Sequence, residues 1–210
     1  MKSLLWIILT GWSSLSLAAT SELTFDVFLD ADPIGVHRVS IQETPGERRV
    51  QVEAEMKVDI LFFTAFRYRH RADELWRGDC ISELVTRTDD DGELLSVDAE
   101  PMGGALEVVT PSERKRLDGC VRTFAYWKPE LLASDYLLNT QNGAHEPARL
   151  IEVEPEPLRF NGRQYGAKRY RLEVGEDVRI DLWYAEDGSW QALQTEVANG
   201  RVLKYVRREG

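Results

Sequence analysis

Residues 50–60 alternate without a break. Val50, Val52, Ala54, Met56, Val58 and Ile60 share one face of an extended chain, and Gln51, Glu53, Glu55, Lys57 and Asp59 share the other. A helix repeats its apolar stripe every 3.6 residues, so a strict period of two excludes it. A strand that is apolar on one side and charged on the other has to join a sheet with one face on a core. The same alternation recurs in Leu23, Phe25, Val27 and Leu29, and again in Val178, Ile180, Leu182 and Tyr184.

Turn-forming pairs separate these runs: Pro45-Gly46, Asp91-Gly92, Asn161-Gly162, Asp187-Gly188 and Asn199-Gly200. Asp-Gly and Asn-Gly favour the tight primed turns of hairpins, which join antiparallel neighbours. About a dozen strands are expected. One stretch departs from the period. Residues 120–127 read as a strand leading into an aromatic corner. From Pro129 onward, Leu131, Leu132, Leu137 and Leu138 have helical spacing, with Pro129 suited to the first helical position and Glu130 to the first turn. The spacing predicts one helix over residues 129–138. The fold class is all-β, mostly antiparallel, with one short inserted helix, as a strongly curved sheet or an open or half barrel.

The N-terminus reads as a secretory signal peptide over residues 1–18. Lys2 precedes an apolar core from Leu4 to Leu17, and small residues flank a cleavage point after Ala18. The other reading is a retained N-terminal anchor. Residues 19–210 then form a single β-rich domain with no transmembrane span after cleavage. Export predicts a periplasmic or secreted protein. In that setting the two cysteines, Cys80 and Cys120, read as a disulfide, the alternative being two buried thiols. The formal net charge of −10 argues against a nucleic-acid partner, which needs clustered Lys and Arg.

No catalytic motif is present. His37, His70 and His145 lack ligand spacing, so neither a metal site nor a cofactor is expected. Asp89, Asp90 and Asp91 sit between strands rather than in a helix-flanked calcium loop. Arg67, Arg69 and Arg71 point one way and Tyr68 and His70 the other. The arginines suit either an anion site or a charge ladder with Glu53, Glu55 and Asp59 on the preceding strand; the ladder is favoured. Aromatic residues recur near strand ends. They either fill a curved sheet or line a cavity within it. The candidate ligand contacts are Tyr68, His70, Trp76, Tyr126, Trp127 and Tyr136.

The runs FAYWKP at residues 124–129 and LLNTQNG at 137–143 resemble the signature of a bacterial exported family, domain of unknown function 6134. Supporting runs are FDVFL at 25–29, PIG at 33–35, YRHRA at 68–72, WRGDC at 76–80, DGC at 118–120 and IDLWY at 180–184. Asn142 departs from the pattern, where a threonine is expected before the glycine. Both cysteines fall within matching runs, which favours their pairing. The resemblance implies a secreted or periplasmic β-rich domain and no assigned reaction.

Three functions follow as expectations. The first is a non-catalytic envelope module that binds an apolar or amphipathic, lipid-like small molecule in a curved-sheet cavity. The second is an assembly module for an envelope protein partner, with residues 61–66 as its apolar surface. The third is a hydrolase-type enzyme with an unrecognised site, favoured if Tyr68, His70 and Glu74 line a pocket with Arg69 or Arg71.

Overall fold

The computed structural model describes residues 19–60 and 63–208. The signal-peptide reading over residues 1–18 lies outside the described residues, as do Leu61 and Phe62 of the expected apolar surface. Of the rest of that surface, Thr64 and Ala65 are exposed and Phe66 is half-buried.

The described residues open with eight strands: β1 (Ala19–Leu29), β2 (Asp32–Thr44), β3 (Glu47–Ile60), β4 (Phe63–Arg77), β5 (Cys80–Asp90), β6 (Glu93–Met102), β7 (Ala105–Val109) and β8 (Arg114–Asp118). Each pairs antiparallel with the next, as the tight turns require. After a connecting segment come α1 (Pro129–Leu132), β9 (Tyr136–Leu138) and β10 (His145–Val153). A small hairpin, β11 (Leu158–Phe160) with β12 (Arg163–Tyr165), interrupts the order. Then β13 (Lys168–Val174), β14 (Val178–Tyr184), β15 (Trp190–Glu196) and β16 (Val202–Arg207) complete a meander. Fourteen strands form one sheet in the order β8-β7-β6-β5-β4-β3-β2-β1-β16-β15-β14-β13-β10-β9, so the first and last strands meet in its middle.

The sheet is curved and not closed. β8 and β9 are its two edges, with no ladder between them, yet the far ends approach. A Cβ placed on Gly143, after β9, would lie 2.6 Å from Thr110 Cγ2 and 3.6 Å from Val97 on β6. The main core lies on the concave face and draws on both halves, from Phe25, Val50, Trp76 and Leu84 to Leu172, Leu182 and Trp190. A smaller core on the opposite face packs the β11–β12 hairpin against Trp183, whose Nε1 donates to Glu156 O at 2.6 Å.

The stretch 120–139 differs from its sequence reading. Residues 120–127 form no strand; only Thr123 makes an isolated parallel bridge to Leu138. The helix is one turn long. It has no side-chain N-cap, and Ala133 leaves helical dihedrals at its end. Tyr136, Leu137 and Leu138 then pair with Pro147, Glu146 and His145, and the Leu138 N–H donates to Arg122 O at 2.8 Å. Leu131, Leu132, Leu137 and Leu138 are all fully buried. Burial of each stabilises the fold by about 1.5–3 kcal/mol, so core contacts outweigh a helix too short to sustain itself.

Cys80 and Cys120 form a disulfide with Cα atoms 5.0 Å apart, tying the start of this segment to β5. Beside it, Ile81 N–H donates to Val121 O at 2.9 Å. The segment therefore crosses the concave face as a covalently tethered lid.

Candidate functional site

Register positions the groups beneath the lid. His37, Ala54, His70 and Thr88 lie opposite one another across β2, β3, β4 and β5. The neighbouring row is Val39, Val52, Ala72 and Thr86. Ala54 and Ala72 are both buried and fill little space. Ala54 lines a gap between His37 and His70 that the lid does not fill, whereas Ala72 lies outside that lining.

That gap is a cavity of about 650 Å³, within the usual range of ligand sites. Its walls come from the sheet (His37, Ala54, Tyr68, His70, Glu74 and Tyr205), from the lid (Phe124, Tyr126 and Trp127) and from Trp190. Gln141, Glu146, Glu176 and Asp177 also line it. The rings form a continuous set. Trp190 lies 4.0 Å from Phe25, 5.6 Å from Tyr126 and 5.9 Å from His37 between ring centres, and His37 lies 5.2 Å from Tyr205.

Burial dominates the electrostatics. It lowers His37 to about 3 and His70 to about 4, the nearby His70 adding to the effect at His37. Both rings are neutral at pH 7. His70 Nδ1 shares a 2.8 Å hydrogen bond with Thr88 Oγ1, whereas His37 Nδ1 is enclosed without a hydrogen-bond partner. Desolvation pushes the Glu74 carboxyl up to about 7, opposed by the bond it accepts from Trp76 Nε1 at 2.7 Å. Burial also raises the phenols of Tyr68, Tyr126 and Tyr205, which stay protonated. Tyr184 Oη donates to Tyr126 O at 2.8 Å and anchors the lid, and Tyr68 Oη donates to Gln141 Oε1 at 3.1 Å in the turn after β9.

Of the six candidate contacts, Tyr68, His70, Tyr126 and Trp127 line the cavity. Trp76 does not; it is fully buried, with its ring 5.8 Å from that of Trp127. Tyr136 is half exposed on β9, beside His145 at 5.1 Å, and is not part of the wall. Glu74 joins Tyr68 and His70 in the lining, but Arg69 and Arg71 do not. Those arginines face outward. Arg71 pairs with Glu53 at 2.8 Å and Arg69 with Glu55 at 3.9 Å, two rungs of the expected ladder; the register sets Arg67 opposite Lys57 and Asp59 opposite Thr64 rather than opposite each other. His37, Glu146, Trp190 and Tyr205 were not singled out from the sequence as contacts. Alternation along β2 places His37 on the inner face, but its position beside His70 depends on pairing across β3.

Among the described residues, no group of three or more His, Cys, Asp or Glu is arranged to hold a metal ion. None of their helices is long and apolar enough to cross a membrane. The lining can donate and accept hydrogen bonds and offer aromatic faces; it contains no serine or cysteine among the described residues.

Sheet and lid together define a β-barrel-like domain, a curved antiparallel sheet wrapped round its own connecting segment and left open at one seam. The chain belongs to the family described as Domain of unknown function (DUF6134), whose model matches residues 25–208. It is similar to the crystal structure of a beta-barrel-like protein of domain of unknown function DUF1849 from Brucella abortus. The TM-score is 0.64 at 11% identity, over 93% of this chain and 98% of that one. At that identity the likeness carries the fold alone. No curated protein matches the chain.

Proposed function

We propose that this protein is an exported, non-catalytic module that holds an apolar or amphipathic small molecule in the cavity beneath its lid. The observation that carries this reading is the unfilled aromatic space of about 650 Å³ between Ala54 and the lid. The space is open to solvent on one side, and a cleft of that size with aromatic walls and a few polar groups is the usual form of a small-molecule site. Tyr68, His70, Tyr126 and Trp127 are the expected contacts, joined by His37, Trp190 and Tyr205; Trp76 supports Trp127 from outside the wall. Binding is favoured over hydrolysis because the hydroxyl that His70 Nδ1 meets, Thr88 Oγ1, lies outside the lining, and the carboxyl buried in the lining, Glu74, is engaged by Trp76 Nε1. The disulfide suits an oxidising compartment, which supports an address in the periplasm or outside the cell.

A neutral fluorescent probe, N-phenyl-1-naphthylamine, tests the reading. The protein should bind one equivalent with a blue-shifted emission. Ala54→Leu, which fills the space between His37 and His70, should abolish that signal while near-ultraviolet circular dichroism stays native. Ala54→Met serves if the leucine variant does not fold. Equal binding by a folded filled variant would show that the probe sits elsewhere and overturn the assignment.

A further inference from the structure

The cavity carries charge of one sign. Four acidic side chains line it, Glu74, Glu146, Glu176 and Asp177, of which Glu74, raised to about 7, is only partly ionised at neutral pH, and among the described residues no lysine or arginine does. Glu74 is buried in the sheet wall. Glu146 Oε2 accepts from Asn139 Nδ2 at 3.4 Å. Glu176 and Asp177 are exposed in the turn between β13 and β14. The two histidines add no positive charge, because burial keeps them neutral. Arg48 is not in the lining, but it lies 5.0 Å over the Trp127 ring, with its Nε paired to Glu43 at 2.6 Å and its Nη1 buried without a partner, so Trp127 already carries a cation on one face.

Three independent features point to the same chemistry. Aromatic faces attract cations through the ring quadrupole, and Tyr126, Trp190 and Tyr205 supply such faces. The enclosed His37 Nδ1 lacks a partner, and a neutral imidazole nitrogen can accept a bond from an ammonium N–H. An anionic head would be repelled by carboxylates with no cation in the wall to offset them, and partial burial strengthens that repulsion.

Building on the cavity reading, we infer that the ligand is a cationic amphiphile, an alkyl chain with an ammonium head. The head is held by the carboxylates and the His37 ring, and the chain lies against the aromatic wall.

Three probes of equal chain length test this by calorimetry at pH 7.5 and low salt, each below its micelle concentration: decylammonium, 1-decanol and decyl sulfate. Decylammonium should bind at least about tenfold more tightly than decanol, and decyl sulfate more weakly than decanol. Glu146→Gln should bring decylammonium towards decanol and leave decanol unchanged. Asp177→Asn, on an exposed turn, gives a second reading should Glu146→Gln fail to fold. If decanol matches decylammonium, or if decyl sulfate binds best, the head-group assignment falls while the cavity reading stands. If none of the three displaces the neutral naphthylamine probe, the head-group assignment falls, and the cavity reading rests on the Ala54 variants alone.

Discussion

Tyr68 and Gln141 lie 73 residues apart in the chain and are joined by a hydrogen bond of 3.1 Å from the phenol to the amide oxygen. The Gln141 amide nitrogen donates in turn to Asp90 Oδ2 at 3.2 Å. Tyr68 and Asp90 lie opposite each other on β4 and β5, while Gln141 belongs to the turn between β9 and β10. Side chains therefore bridge the two halves of the sheet where no backbone ladder does.

Tyr68→Phe removes the donor and leaves Gln141 Oε1 without it. A loss of about 1 kcal/mol in urea denaturation is expected, as for a typical hydrogen bond. Amide exchange should speed up in residues 139–144, whose own bonds include Gly143 N–H to Asn139 O. Unchanged exchange there would show that the bridge does not hold the turn.

Gly143 has φ +77°, and its missing Cβ leaves room for Thr110 Cγ2. Gly143→Ala should cost about 1–3 kcal/mol through strain and overlap. Adding Thr110→Ser removes the offending methyl but keeps Oγ1, which accepts from Glu113 N–H at 3.1 Å. The double variant should recover the overlap and not the backbone strain. No recovery at all would mean that the two ends of the sheet do not approach in solution.

Replacing both cysteines by serine opens a loop with a sequence separation of 40 residues. The chain-entropy argument predicts a loss of about 4 kcal/mol. A loss below about 1 kcal/mol, measured by denaturation of oxidised and variant protein, would mean that the neighbouring contacts already hold the lid.

Glu74 and the two half-buried histidines oppose each other in the pH dependence of stability. Glu74 is raised from 4.5 to about 7, so the folded state binds its proton more tightly. Its contribution is full below pH 4.5 and is lost as pH rises through 7. His37 and His70 fall from 6.5 to about 3 and about 4. Their contribution is full above pH 6.5 and is lost as pH falls through those values. Between pH 4.5 and 6.5, stability therefore drops on acidification by less than the histidines alone would cause. Glu74→Gln keeps an acceptor for Trp76 and should steepen that drop by about one proton, or about 1.4 kcal/mol per pH unit. Denaturation midpoints across this window check it; an unchanged slope would show that Glu74 is ionised throughout.

The sequence by itself determined most of the strands and of their turns, about a dozen of the sixteen described. Alternation is a property of neighbours in the chain, and it states which side chains share a face of any strand. It placed Tyr68 and His70 opposite the arginines, and the ladder of Arg69 and Arg71 with Glu55 and Glu53 followed from adjacent strands joined by one connection. The tertiary structure decided the rest. Leucines at 131, 132, 137 and 138 fit a helix on paper, but one turn followed by a strand buries all four, because Arg122 and β10 offer the backbone partners that a longer helix would have supplied itself. The cavity also had no local signature. It depends on Ala54 lying between His37 and His70 across three strands, and on a lid tied to Cys80 whose rings cover that row without filling it. Packing between residues far apart in the chain sets both, and periodicity records only what is near.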